Sequence, residues 1–205
     1  MNYEEIIGKL YKELKRKYGS PKGQWKLWCK THKIEKEREE VIIGAILTQR
    51  TNWKNVELTI NNLKSAKINS LKDISRLGPK KLASLIKPSG FYKTKAQYLL
   101  NLTRFVIKNY GGLRKMKKAE LKELRQDLLK LKGIGPETAD SILLYGLDKP
   151  IFVVDEYTKR LVKIHNLAKK IDYHFLQKLF EENLRRDYKL YQNFHALIVI
   201  DGKNK

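Results

Sequence analysis

The chain has 205 residues, 41% of them hydrophobic, which is enough for one domain or two small packed ones and too apolar for a disordered chain. Its 44 Lys and Arg stand against 22 Asp and Glu, a formal charge of +22 spread along the sequence. That excess points to a polyanionic partner, nucleic acid first, the bland alternative being a lysine-rich solvated surface. The single cysteine, Cys29, excludes an internal disulfide and a four-cysteine zinc or iron–sulfur site. The first residues through Tyr18 mix charges at helical spacing with no apolar run long enough for a signal peptide or membrane span, so a soluble, cytoplasmic protein is expected, nucleoid-associated in a prokaryote.

Asn2 can cap a first amphipathic helix with Ile6, Ile7, Leu10, Tyr11 and Leu14 on one side, ending near Gly19-Ser20-Pro21. Gln24 to Cys29 follows as an aromatic-rich loop. A helix over Lys36 to Thr48 is apolar all round from Val41 to Leu47, the signature of a buried central helix, and leaves through the polar stretch Thr48-Gln49-Arg50-Thr51-Asn52. Helices are predicted next over Trp53–Ala66, Leu71–Leu77 and Pro79–Ile86. The break Pro88-Ser89-Gly90-Phe91-Tyr92 precedes a long helix, Lys93–Tyr110, with a core stripe of Ala96, Leu99, Leu100, Phe105 and Val106, and Leu102 as a further candidate.

A helix over Lys118–Leu131 leads to Lys132-Gly133-Ile134-Gly135-Pro136, a tight hairpin into a second helix, Glu137–Leu147. The glycines allow a sharp turn and close backbone approach, and Pro136 suits a first helical turn because its missing N–H would go unused there. Free amides at such a helix start favour an anion, and in so basic a chain a DNA phosphate. Ile151–Val154 is short and extended with no strand to pair with, and helices resume over Glu156–Asn166, Tyr173–Leu184 and Tyr188–Ile200. The pattern is all-α, of about ten helices.

The run from Leu131 through Gly133-Ile134-Gly135 to Thr138-Ala139, followed by Val153-Val154-Asp155, resembles the helix-hairpin-helix DNA glycosylases of the endonuclease III superfamily. Ala45 to Val56 looks like that superfamily's segment that inserts a glutamine into DNA, and Pro88 to Ala96 like its glycine-aromatic-Lys-Ala segment. The resemblance implies the two-lobed helix-hairpin-helix glycosylase fold, with a central lobe over 36–150 and a second lobe from 1–35 plus 151–205. Members with AP-lyase activity carry a lysine where this chain has Glu137. With one cysteine and no cluster loop, the chain is most similar to the cluster-free 3-methyladenine DNA glycosylase III branch, which implies no iron–sulfur cluster, a monovalent cation at the hairpin as an option, and a monomer acting on double-stranded DNA with the damaged base flipped out.

Cleaving an N-glycosidic bond puts positive charge on the sugar, which a nearby carboxylate stabilises. By position Asp155 is as fit to be an N-cap as a catalytic group; the resemblance favours catalysis. Gln49 is the candidate to fill the gap left by the extruded nucleotide, against a plain helix-end role. Gly133, Ile134, Gly135 and Lys132 are assigned to the DNA backbone, as are Lys93 and Lys95, for which a solvated helix face is nearly as good an account. Trp25, Trp28 and Trp53 are candidate walls for a cationic base, at least one of them core. Glu137 can bind water, contact the flipped base or cap the hairpin helix near its positive end, the last being preferred. His32, His165, His174 and His195 lack metal-ligand spacing, and each is expected on the surface or satisfied in the core, so no metal site is expected. The competing functions are an endonuclease III-like or mismatch glycosylase for oxidised or mispaired pyrimidines, and a non-catalytic helix-hairpin-helix DNA-binding protein.

Overall fold

The computed structural model describes residues 2–204. Its helices are α1 (Tyr3–Tyr18), α2 (Trp25–Trp28), α3 (Glu35–Leu47), α4 (Trp53–Ser65), α5 (Leu71–Ser75), α6 (Pro79–Leu85), α7 (Tyr92–Tyr110), α8 (Leu113–Met116), α9 (Leu121–Leu129), α10 (Pro136–Ser141), α11 (Glu156–Ile164), α12 (Tyr173–Glu182) and α13 (Tyr188–Lys203). A 3-10 turn, Lys87–Ser89, precedes α7, and a π-helical segment, Ile142–Gly146, continues α10. No strand occurs among the described residues, and none of their helices is long and apolar enough to cross a membrane. The helices form two compact units: His32–Leu147, and the chain through Thr31 together with that from Asp148 onward.

In the His32–Leu147 unit α3 is the central helix, with every residue from Val41 to Leu47 buried against α4, α7, α8, α10 and the π segment. Its first turn is closed by Glu37, whose carboxylate accepts from the Ile34 N–H at 2.9 Å. The π segment lies directly on α3. A side chain at Gly146 would place its Cβ 2.6 Å from Ile42, so glycine is what lets the two backbones approach. The Gly146 carbonyl, orphaned at the helix end, accepts from the buried Arg38 guanidinium at 2.9 Å. On α7 the buried stripe is Lys95, Ala96, Leu99, Leu100, Leu102, Thr103 and Val106; Phe105 sits at the margin, edge-on to Tyr110 at 5.7 Å.

In the other unit α13 carries the core, packed by α1 and α11. Phe152 stacks flat on Phe180 at 4.4 Å and meets Tyr191 and Phe194 edge-on. The extended run Ile151–Val154 has no strand partner, so α12 substitutes for one. Tyr173, Gln177 and Glu181, one helical turn apart on α12, reach the backbone in register. Glu181 accepts from the Phe152 N–H at 2.7 Å, the Gln177 amide donates to the Phe152 carbonyl at 2.7 Å, and the Tyr173 hydroxyl accepts from the Val154 N–H at 3.5 Å. This row holds the segment that delivers Asp155. Replacing Gln177 with leucine leaves the Phe152 carbonyl without that donor, and thermal unfolding should show a loss of about 1–3 kcal/mol.

Candidate active site and DNA-binding face

The hairpin is built from the turn Leu131–Gly135, closed by the Ile134 N–H to the Leu131 carbonyl at 3.1 Å. Ile134 is 4% exposed and anchors the apex in the core. Gly133 has φ +91 and lies so close over the Tyr98 ring of α7 that a Cβ there would enter the ring. Gly135 takes the N-cap position of α10 with Pro136 at its first turn, and its carbonyl accepts from the Ala139 N–H at 2.9 Å. Arg125 on α9 grips Asp140 on α10 through Nε at 2.7 Å and Nη2 at 3.0 Å, with the carboxylate fully buried. This bidentate pair fixes the angle between the two hairpin helices.

Two other turns join the hairpin on this unit. The Gln49 amide donates to the Gly133 carbonyl at 2.9 Å and to the Thr138 hydroxyl at 3.0 Å, tying the exit of α3 to both sides of the hairpin. Lys95, expected to face the DNA backbone, does not: it is 2% exposed, and its ammonium donates to the carbonyls of Leu47 at 2.8 Å and Ser89 at 2.7 Å. The reason is position, since Lys95 begins the stripe that turns α7 into the core. Burial pushes its pKa down to about 8. Lys93, Lys132 and Glu137 are exposed, as is Arg50. Phe91, part of the glycine-aromatic segment but given no role from the sequence, is 63% exposed and, like Arg50, adopts the left-handed backbone region that non-glycine residues avoid, with φ of 45 and 50. A large apolar side chain held in the open between Gly90 and α7 has the character of a wedge for base pairs.

Asp155 lies in the other unit, at the N-cap of α11. Its Oδ1 accepts from the Thr158 N–H at 2.8 Å and the Thr158 hydroxyl at 3.0 Å, while Oδ2 faces His195 Nε2 at 3.5 Å. The N-cap and catalytic roles are therefore compatible, because one oxygen caps the helix and the other points elsewhere. Burial raises the carboxyl pKa, but the neighbouring His195 imidazole and the two Thr158 donors together outweigh it and hold the group below its ordinary value. Asp155 is thus an ionised carboxylate with 13% of its side chain exposed. His195, on α13 and 4% exposed, was not a site candidate. Forty residues of chain separate it from Asp155, and no spacing rule spans that interval.

Trp25 and Trp28 belong to the same unit. They pack edge-on to each other at 5.7 Å, and Trp25 packs edge-on to His195 at 5.9 Å. At 6% and 5% exposure both lie in the core, the role expected of at least one of the three tryptophans, so neither offers an open face, and Trp25 backs His195. Their segment is a helical turn, α2, and not a loop. Trp53, half-buried in the first turn of α4, belongs to the His32–Leu147 unit.

A close-packed Gly-x-Gly hairpin between two helices and, elsewhere in the chain, an ionised carboxylate at a helix start define the class of helix-hairpin-helix base-excision proteins. The family comparison agrees. Residues 43–186 match the HhH-GPD superfamily of base excision DNA repair proteins, and the chain belongs to that family of DNA glycosylases. A protein of Methanocaldococcus jannaschii that carries the provisional name DNA repair glycosylase is 44% identical over 201 residues, covering 97% of this chain and 87% of its own. Endonuclease III of Thermotoga maritima is 31% identical over 136 residues, 66% of this chain and 60% of the relative. Among solved structures, H. pylori 3-methyladenine DNA glycosylase bound to 1,N6-ethenoadenine superposes with a TM-score of 0.81 at 30% identity, over 100% of this chain and 98% of that one.

Proposed function

We propose that the protein is a monofunctional DNA glycosylase that removes alkylated, cationic purines such as 3-methyladenine from duplex DNA. The observation that carries the chemistry is Asp155, a largely enclosed carboxylate kept ionised beside His195. As the glycosidic bond breaks, positive charge grows on the sugar, and a fixed anion in a poorly solvated site stabilises it more than water does. The same carboxylate can orient the attacking water. An alkylated purine already carries a positive charge and leaves readily, so this electrostatic assistance is matched to it. The end-to-end likeness to a 3-methyladenine DNA glycosylase supports that substrate class.

The hairpin amides take a backbone phosphate, with Lys132 and Lys93 adding salt-dependent attraction. Gln49 gives up its bonds to Gly133 and Thr138 to fill the space of the extruded nucleotide, and Phe91 wedges beside it. Trp53, half-buried, is the tryptophan with surface left to meet a base. Glu137 stands in the lyase position and cannot form a Schiff base, so the strand is left uncut. The residues present do not fit an iron–sulfur cluster, since there is one cysteine, and a monovalent cation at the hairpin would share the Gly133 carbonyl with the Gln49 amide. We take the active form to be a monomer on double-stranded DNA.

The similarity to endonuclease III supports the second reading, a glycosylase for oxidised or mispaired pyrimidines. A panel of single-lesion duplexes, treated with and without borohydride, separates the two. Alkylpurine sites should become abasic without a trapped covalent adduct. Excision confined to oxidised or mispaired pyrimidines, or an efficient borohydride adduct, sinks the proposal.

A further inference from the structure

Lys95 stands near the start of α7, 2% exposed, and its ammonium bonds only to neutral oxygens, the carbonyls of Leu47 and Ser89. Burying an ammonium without a counter-charge is unfavourable, and burial is the whole cause of its lowered pKa. Charged side chains on the elements around it offer no compensation. Lys93 on α7, Lys87 in the 3-10 turn, Arg50 after α3, and Lys54 and Glu57 on α4 are all exposed. A group kept in place at such a cost is explained by what it holds.

Leu47 is the last residue of α3, where carbonyls lack helical partners and the helix dipole is negative. Ser89 is the last residue of the 3-10 turn. Each carbonyl stands just ahead of a strained residue. Arg50, three residues after Leu47, and Phe91, two after Ser89, are both non-glycine residues in the left-handed region, and both side chains are exposed. Such backbone persists only where its surroundings leave it no alternative. Gln49, beside Arg50, is in turn tied to the hairpin. One ammonium therefore joins the two turns that carry the exposed side chains of this face.

We propose that Lys95 is a positioning residue for DNA: its buried ammonium pins the turn Thr48–Asn52 to the turn Ser89–Phe91, so that both meet the duplex as one rigid edge. It touches no DNA itself. A neutral amine donates more weakly and does not complement the α3 dipole, so loss of the proton loosens both turns. The proposal rests on the proposed function only in taking duplex DNA as the ligand.

The test measures, by fluorescence anisotropy, the dissociation constant of the full chain for a duplex holding a tetrahydrofuran abasic-site analogue. Wild type and Lys95→Met are compared from about pH 6.5 to about pH 9.5 at constant ionic strength. Wild-type affinity should fall about tenfold through a midpoint near pH 8, the loss of roughly one charge-assisted hydrogen bond. Lys95→Met should bind about tenfold more weakly at neutral pH and show no step near pH 8. A step that persists in Lys95→Met, or a wild-type profile flat across pH 8, overturns the proposal. Should Lys95→Met fail to fold, amide exchange of the wild type decides. Corrected for intrinsic rates, residues 48–52 and 89–91 should lose protection above pH 8 while the hairpin amides do not; equal loss in all three segments overturns it. Excision absent with the binding step present would remove the glycosylase reading and leave the clamp; excision present with flat binding would do the reverse.

Discussion

Asp155→Asn should lower the single-turnover excision rate about a thousandfold while leaving duplex affinity within about twofold. The substitution separates the two jobs of the side chain. Asparagine caps a helix as well as aspartate does, so its amide oxygen can still accept from Thr158, and the stability of α11 should change by less than about 1 kcal/mol. What disappears is the negative charge. Asp155→Ala removes the cap as well and should cost about 1 kcal/mol more in stability, for a similar loss of rate. Acid provides an independent check. The folded-state pKa of Asp155 is held below its ordinary value, so its contribution to stability is complete above the unfolded-state pKa and is lost as the pH falls through the folded one. Unfolding curves should therefore show wild type losing a stability increment in acid that Asp155→Asn never had. An asparagine variant that excises at the wild-type rate would leave Asp155 as a cap alone.

Gly133→Ala is the second change with a large expected effect. Two costs coincide: φ is +91, a region alanine enters only with strain, and the new Cβ would enter the Tyr98 ring. The turn cannot relax downward, because Ile134 is anchored in the core and α9 and α10 are held by the Arg125–Asp140 pair. A stability loss of about 2–4 kcal/mol is expected from denaturant unfolding, with a duplex affinity at least about tenfold weaker. Gly135→Ala makes the contrast. Its φ is −86 and nothing lies within 4 Å of the added carbon, so stability should hold. Equal effects at the two positions would mean that the turn is not shaped by its contact with Tyr98.

Much of this architecture was legible in the sequence because it depends on neighbours close along the chain. Asn2 does cap α1, its side chain accepting from the Glu5 N–H, and Ile7, Leu10 and Leu14 are buried as their spacing requires. The all-round apolar stretch of α3 is the central helix. Gly133 and Pro136 take the places their backbone preferences suggest. What the sequence leaves open depends mostly on partners that lie far along the chain. Lys95 reads as a DNA-backbone contact because lysine usually faces outward, but α7 turns that position inward toward the carbonyls of Leu47 and Ser89. Of the α7 stripe, Leu102 is buried as its place in the stripe allows, while Phe105 stays at the margin against Tyr110. The π segment arises where Gly146 packs on Ile42, a contact no local pattern announces. Ile151–Val154 is extended and unpaired with any strand, as its sequence indicates, but the α12 side chains that satisfy its backbone are not visible locally. His195 reaches Asp155 only through the packing of α13.

The identity of the released base tests the central claim most directly. Duplex DNA treated with a methylating agent and incubated with the wild-type protein should release free 3-methyladenine, identified by chromatography, and the abasic strands should stay intact until treated with alkali. Asp155→Asn, incubated in parallel, should release none above background. No alkylated purine in the supernatant, together with release of oxidised or mispaired pyrimidines from the matching control duplexes, would contradict the account.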